Sequence, residues 1–446
     1  MNRDRKIGLP LATILVANNM IGSGIFLLPA TLASVGSVTI IGWIVATLAA
    51  TLIATVLAKL GQVSPQPGGP AGYATVALGP YLGFQANFIY WICCWIGNIA
   101  IAVAAIGYLA SFFPRLREPM LTSVAVVSLI WLVTFVNVYG PRFACQFKMV
   151  TLIAGLVPIL LVGTVGWIYF QPDVFAASWN VQARSVWDVV PESLVLVFWA
   201  FVGLESASVA TSVVERPERN VPLATVMGVL LSGCVYLAAF AAIMGLVPAR
   251  ALLTSSAPFA DAAGVFMGPM AGAFVALMAL IKATGTLCGW VLLTAQTGQS
   301  SAQRGLFPPL FRRTNRYGIP VLNLIVVAVI MSVVVLATMS PTIGEQFAKL
   351  IETSVILCLL VYLYAFTALW HFRRSVTHVG RYFAAAIVAA LVCLFVIVRA
   401  GPLQLAICAA ILLSTYPLYA LMKWSGRPPI ASPLPPSLDY RATPPS

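Results

Sequence analysis

Long apolar runs alternate along the chain with short polar or proline-rich connectors, and inside the runs there is no strict two-residue alternation. Residues 321–338, 382–398 and 402–422 are clear examples. Each is close to the roughly 20 residues that carry a helix across a ~30 Å hydrocarbon core. Lipid offers a backbone no hydrogen bonds, so a spanning segment is a helix or part of a closed barrel, and continuous apolar character selects the helix. The pattern predicts twelve helices, over roughly 11–33, 38–62, 84–113, 121–138, 148–170, 191–212, 223–246, 271–299, 321–338, 346–370, 382–398 and 402–422. The expected fold class is therefore an all-α polytopic membrane protein. One transmembrane domain is expected over residues 1–426, followed by a disordered Pro-rich tail over 427–446. The first apolar stretch carries NNMIGSG at its centre, with no small-residue cleavage site leading into a soluble domain. It reads as a transmembrane helix and not as a signal peptide.

Composition agrees: 61% of residues are hydrophobic, 8% are charged, and the mean hydropathy is +0.97. A soluble chain carries about 25% charged residues and could not cover its surface with so few. The net charge of +13 would suggest nucleic acid in a soluble protein; here its distribution reports topology, and nucleic acid is not an expected partner. With both termini cytoplasmic, seventeen of the 25 Lys and Arg fall on the cytoplasmic side, among them Arg3, Arg142, Arg216, Arg304, Arg312 and Arg373. Five fall outside (Arg115, Arg117, Arg184, Arg250, Arg399), and Lys59, Lys282 and Lys349 lie within spans. This is a positive-inside bias, which predicts a multi-pass protein of the cytoplasmic (inner) membrane. The eight cysteines sit in or at the edge of predicted spans, so no structural disulfide is expected. No Cys or His spacing suits a metal, the only histidines being His371 and His378, and no cofactor is expected.

Two helices carry internal breakers. The first has Gly22-Ser23-Gly24 near its middle, and the sixth has Gly203-Leu204-Glu205-Ser206 in an equivalent place. These are positions one and six of the first ten helices, a spacing that fits two five-helix halves (about 11–170 and 191–370), with the last two helices (about 382–422) outside the repeat. A broken helix has a use. The free N–H groups and positive dipole end of one half attract a carboxylate, and the freed carbonyls of another half attract an ammonium group. Gly22, Ser23 and Gly24 would serve the carboxylate of an amino acid, and the carbonyls around Met20, Trp199 and Val202 its amine.

NNMIGSGIFLLPATLASVG, WICCWIGNIA, FWAFVGLESASVATSVVERPERNVPLA, TSSAPFADA and GWVLLTAQTGQSSAQRGLFPP together resemble the basic amino acid/polyamine antiporters of the amino acid–polyamine–organocation superfamily. The likeness runs from about Ile7 to Lys423. It is greatest to the bacterial arginine/agmatine antiporters, with the ornithine/putrescine exchangers next through ERPERNVPLA. It implies a leucine-transporter-like fold of 5+5 inverted repeats plus two helices, often assembled as a homodimer. It also implies exchange of an external cationic amino acid, arginine before others, for its decarboxylated amine, agmatine, in acid resistance. By position, the resemblance implies that Ser23 and Gly24 bind the carboxylate. It places Trp199 over the substrate side chain and Trp290 against its distal part, with Cys93, Cys94 and Asn98 near the distal cation. Ser354 becomes a further pocket residue, Tyr90 and Tyr362 become gate tyrosines, and Glu205 is the matching acid on the sixth helix.

Several of these residues have plainer readings. Tryptophans commonly anchor membrane interfaces, but Trp199 and Trp290 fall mid-span beside breakers, where an indole face suits a cation. Asn98 suits either a substrate's polar end or a helix–helix hydrogen bond. Glu205 reads as the only carboxylate deep in a predicted span, either a proton-linked switch or a cap on the second half-helix. Lys282 departs from the family pattern, which has a small uncharged residue there. It precedes Trp290 by eight residues, and Thr286 bridges the two on one helix face, so its ammonium is expected to point towards the cavity. Three readings stay open: it titrates during transport, it pairs with Glu205, or the substrate is less cationic than arginine. The segment GGPAGYATVALGPYLG between helices two and three reads as a loop with a turn at Pro67-Gly68-Gly69-Pro70 and carries no basic residue. Arg216 and Arg219, interleaved with Glu215 and Glu218, read as a solvated helix-end cluster or an inward gate. The alternatives to an arginine/agmatine exchanger are an ornithine/putrescine or lysine/cadaverine exchanger and a proton-coupled amino acid symporter. A channel would need polar rings in several spans, and an enzyme a His, Asp or Cys cluster at one membrane face; neither is visible.

Overall fold

The computed structural model describes residues 7–22, 24–63, 69–139, 141–205, 214–376 and 378–424. The chain is an all-helical membrane protein. The first broken span is α1 (Leu9–Met20) followed by α2 (Gly24–Leu32). Then come α3 (Ile40–Val63), α4 (Gly69–Leu109), α5 (Pro119–Tyr139), α6 (Pro141–Thr164) and the short α7 (Pro172–Ala177). The second broken span begins with α8 (Val186–Phe198) and a 3-10 turn at Trp199–Phe201. After it come α9 (Pro217–Leu246), the short α10 (Ala249–Leu252) and α11 (Pro258–Met267), and α12 (Pro269–Gln303). The last are α13 (Val321–Ala337), α14 (Ile343–His371), α15 (Val379–Val398) and α16 (Pro402–Trp424). Eight described helices are long and apolar enough to cross a membrane whole. The two broken spans, α6 and α13 supply the other four positions of the predicted twelve.

Local chemistry sets most boundaries. Proline opens α5, α6, α9, α11, α12 and α16, where its missing N–H costs nothing and its fixed φ suits the first turn. Ser185 Oγ accepts from Trp187 N–H at the start of α8, and Thr342 Oγ1 accepts from Glu345 N–H at the start of α14, each satisfying an orphan donor. The segment expected as a loop before the third span is instead helical from Gly69, with a kink at Gly79 (φ +81°) and a restart at Pro80. Its Ala71, Tyr73 and Ala74 are apolar and fully buried, and that burial outweighs the turn signal. Residues 64–68, with most of the predicted turn, lie outside the described residues, as do 206–213 in the sixth span and the tail from 425. The short helices α7, α10 and α11 lie in connectors where only loops are expected. Glu215, Arg216 and Arg219 are exposed; the side chain of Glu218 lies outside the described residues.

At the centre of the bundle, α4 runs against α14 and α12, while α3 and α1 pack on α9, and α6 on α12. One buried node fastens the loop-side end of α12 to α4. Asn87 Oδ1 accepts from Arg304 Nη2 (2.8 Å) and Ser301 Oγ (3.1 Å), and Asn87 Nδ2 donates to Thr75 Oγ1 (2.9 Å) and Gly83 O (2.8 Å). Burial brings the Arg304 guanidinium down to about 10, still cationic at neutral pH. The helices α15 and α16 are the least covered, leaving Leu391, Leu413, Leu421 and Trp424 exposed, as a lipid-facing rim requires. Glu352 in α14 is a second carboxylate inside a span, beyond the one expected at Glu205.

Candidate functional site: a cavity between two broken helices

The two interruptions meet at mid-bundle. At the end of α1, Ile21 N–H closes on Ala17 O (2.7 Å), and Gly22 N–H turns to Met20 O (2.6 Å) instead of continuing the ladder to Asn18. The chain resumes as helix at Gly24; Ser23 lies outside the described residues. In the other span, α8 ends at Trp199, whose carbonyl accepts from Val202 N–H (3.2 Å). Gly203 follows at φ +105°, a backbone conformation only glycine adopts at no cost, and Glu205 lies two residues on. Each carbonyl in these turns keeps a second lone pair for a ligand.

Between the breaks lies a small cavity of about 40 Å³. Met20, Gly22 and Gly24 line it from the first break, and Trp199, Val202 and Glu205 from the second. The middle of α4 contributes Tyr90, Cys93, Cys94, Gly97, Asn98 and Ile101; Thr286 and Trp290 come from α12 and Ser354 from α14. The structure thus gathers nine of the ten expected substrate-binding residues, Ser23 being outside the described residues. Gly97 and Ile101 were not expected. They fall three and seven residues after Cys94, on the helix face that also carries Asn98, so helical periodicity alone was the available signal.

The Trp199 indole is wedged between two glycines. A methyl group on Gly24 would lie 2.6 Å from Trp199 Nε1, and one on Gly97 would lie 3.0 Å from Trp199 Cη2. Only residues without a side chain leave room for the ring at both edges, and its Nε1 has no hydrogen-bond partner among the described residues. Ser354 Oγ donates to Cys93 O (2.9 Å) and lies 3.3 Å from Cys93 Sγ, tying α14 to α4. Asn98 Nδ2 donates to Thr294 Oγ1 (3.0 Å), and Asn98 Oδ1 is buried with no partner among the described residues. The helix–helix reading of Asn98 is thus observed in its amide nitrogen, while its amide oxygen faces the cavity lining without a partner among the described residues.

Glu205 is the only charged side chain of the described lining and is 4% exposed. Tyr90 OH donates to Oε1 (3.0 Å), Tyr362 OH to Oε2 (2.6 Å), and Gly203 N–H also to Oε2 (3.1 Å). The carboxylate therefore knots α4, α14 and the second break together, and the two expected gate tyrosines are the strands of that knot. Charge-assisted bonds of this kind are the strong ones.

The expected orientation of Lys282 is overturned. It does not line the cavity. Its ammonium donates to Asn18 Oδ1 (3.2 Å), it forms no ion pair with Glu205 among the described residues, and its stem lies on Gly155 of α6. The reason is geometric. Thr286, one turn on, meets Gly22 and the cavity, while Lys282 at the level of Gly155 finds a side-chain-free slot between helices.

The chain has clear relatives. A family profile described as Amino acid permease matches residues 7–412. The cadaverine/lysine antiporter of Escherichia coli (strain K12) is 37% identical over 378 residues, covering 84% of this chain and 85% of that protein. The putrescine transporter PotE of the same strain is 34% identical over 367 residues, covering 82% and 84%. PotE of Haemophilus influenzae is 32% identical over 367 residues, covering 82% and 84%.

Proposed function

The chain belongs to the amino acid permease family, and on that premise we propose that it exchanges a cationic amino acid for the amine left by its decarboxylation, lysine for cadaverine before other pairs. The observation that carries this reading is the cavity between two helix breaks, lined by two indoles and by an amide whose oxygen has no partner among the described residues. The start of α2 at Gly24 offers backbone N–H groups to an α-carboxylate. The carbonyls at Met20 and Val202 offer acceptors to the α-ammonium. Trp199 and Trp290 take the distal cation by cation–π attraction, worth about 0.5–2 kcal/mol each. The decarboxylated amine keeps both cations and loses only the group held at the first break, so one site serves both partners of an exchange.

The named activities of the relatives favour lysine/cadaverine or putrescine transport. The site adds a chemical reason. Asn98 Oδ1 is one side-chain acceptor without a partner among the described residues, which suits the compact ammonium better than a guanidinium with five donors. Arginine for agmatine, suggested by the sequence motifs, is the second reading. In both, Glu205 couples occupancy to gating through Tyr90 and Tyr362, and the protein lies in an inner membrane with both termini cytoplasmic. Liposomes loaded with cadaverine, agmatine, putrescine or nothing test this. Uptake of labelled lysine that needs internal cadaverine supports the leading pair. Uptake of arginine driven only by agmatine moves the assignment to the second. Uptake of a neutral amino acid into empty liposomes under a proton gradient sinks the exchanger reading.

A further inference from the structure

Lys282 is a buried cation that the binding cavity does not use. It is 4% exposed, sits mid-span in α12, and has one described hydrogen bond, to the neutral side chain of Asn18. Three features define its place. Asn18 lies in the last turn of α1, at the level where the helical ladder stops because Gly22 N–H turns to Met20 O. A helix C-terminus carries unsatisfied carbonyls and a partial negative charge, so a cation beside it is favoured. Next, α6 and α12 are pressed together: a methyl on Gly285 would fall 2.1 Å from Thr151 Cγ2, and one on Gly155 would fall 2.5 Å from Lys282 Cδ. The lysine stem is therefore held in a slot of fixed shape. Finally, α1 lies along α9, meets α12 sparsely, and joins α2 only through the non-helical break. A half-helix attached in this way can shift against α12, and the Lys282–Asn18 bond crosses that boundary.

We propose that Lys282 is a positioning residue for transport: its ammonium is a built-in cation that clasps the open end of α1 to the rigid α6–α12 pair. The clasp is strong enough to place the carbonyl end of α1 beside the cavity. With one neutral acceptor among the described residues for three donors, it is weak enough to part when α1 moves. An aspartate in place of Asn18 would turn it into an ion pair and hold α1 too firmly. The role rests on the transport reading for its rate consequences, but not for its structural ones.

The test compares wild type, Lys282→Met and Asn18→Asp in nanodiscs and liposomes. Methionine keeps the unbranched stem on Gly155 and removes the charge. Lysine/cadaverine exchange is expected to fall at least about tenfold in both variants, with cadaverine affinity within about threefold of wild type, so that the loss is in rate and not binding. Deuterium uptake over residues 9–20 is expected to move in opposite directions, up at least about fivefold in Lys282→Met and down in Asn18→Asp, with α6 and α12 unchanged. Opposite shifts on one half-helix are not what a general packing defect produces. The proposal is overturned if Lys282→Met exchanges within about twofold of wild type, if uptake in α1 does not change, or if α6 and α12 loosen with it. It is equally overturned if Asn18→Asp loosens α1, and that variant decides the matter if Lys282→Met fails to fold. If wild-type liposomes show no exchange of any amine pair, the function proposed above fails, and the clasp is still judged on deuterium uptake.

Discussion

At the scale of single residues, the cavity is made by what is missing as much as by what is present. Trp199 can lie across it because Gly24 and Gly97 leave its two edges free. Gly24→Ala places a carbon 2.6 Å from Nε1 and must push the ring out of place, an overpacking cost of about 1–3 kcal/mol. Exchange is expected to drop at least about tenfold in Gly24→Ala, with thermal stability changed by only a few degrees, measured by counterflow and a melting curve. Trp199→Ala removes a cation–π partner worth about 0.5–2 kcal/mol and should weaken amine binding about 2- to 30-fold, while Trp199→Phe keeps part of it. Glu205→Gln substitutes a neutral amide, one of whose two groups is a donor, for a carboxylate that holds two tyrosine hydroxyls and a backbone N–H. Hydrogen bonds to a charged group contribute about 1.5–3 kcal/mol, so this variant should both melt earlier and lose exchange. An unchanged melting temperature with full exchange would remove Glu205 from the gate.

At the scale of elements, two joints are open to measurement. The Asn87 node binds Arg304, Ser301, Thr75 and Gly83, and so fixes the kinked start of α4 to the end of α12. Asn87→Ala leaves a buried guanidinium and two hydroxyls short of a partner, each costing about 1–3 kcal/mol. Faster deuterium exchange over residues 69–79 and 298–304 is expected, and protection equal to wild type would mean the node bears no strain. The second joint is α11, in the connector between α9 and α12. Asp261 in its first turn accepts from Ser255 Oγ; its residue surface is exposed, and partial desolvation of the carboxyl raises it above the usual carboxylate range. A group whose folded value is raised binds protons more readily in the folded state. Its contribution to packing of α11 therefore weakens as pH rises from the unfolded value through the folded one. Protection of residues 255–267 should be greater at acid than at neutral pH, and Asp261→Asn should flatten that dependence.

At the scale of the whole molecule, the charge count makes a topological prediction that a single missed span would invert. The loop carrying Arg304, Arg312, Arg313 and Arg316 is expected on the cytoplasmic side, and that carrying Arg184 outside. Alkaline phosphatase fused after Arg184 should be active, and fused after Arg316 inactive. The reverse pattern would turn the molecule over and exchange the inward and outward faces of the cavity. The chain ahead of α1 is also linked to the residues ahead of α9, since Glu215 N–H donates to Ile7 O (2.9 Å).

What the sequence by itself determined was whatever depends on solvent and on short-range backbone chemistry. Apolar runs must be helices in lipid, so the spans could be placed, several of them to within three residues, as at α3, α5, α14, α15 and α16. Glycines with polar neighbours mark where such helices break, so the two interruptions, and with them Gly24, Trp199 and Glu205, were legible. One departure was α4, where burial of Ala71, Tyr73 and Ala74 carried the helix back to Gly69 through a segment whose glycines and prolines read as a loop. What only the tertiary structure decided were contacts between residues far apart in the chain. Helix periodicity put Lys282 on a face shared with Thr286, but not which neighbour would leave room for it. A lysine stem is long enough to reach either the cavity or Asn18, and the slot over Gly155 settled the choice. In the same way, nothing local marks Gly97 as the rest for an indole 102 positions on; a side chain's direction is fixed by its far neighbours, and those exist only once the helices have packed.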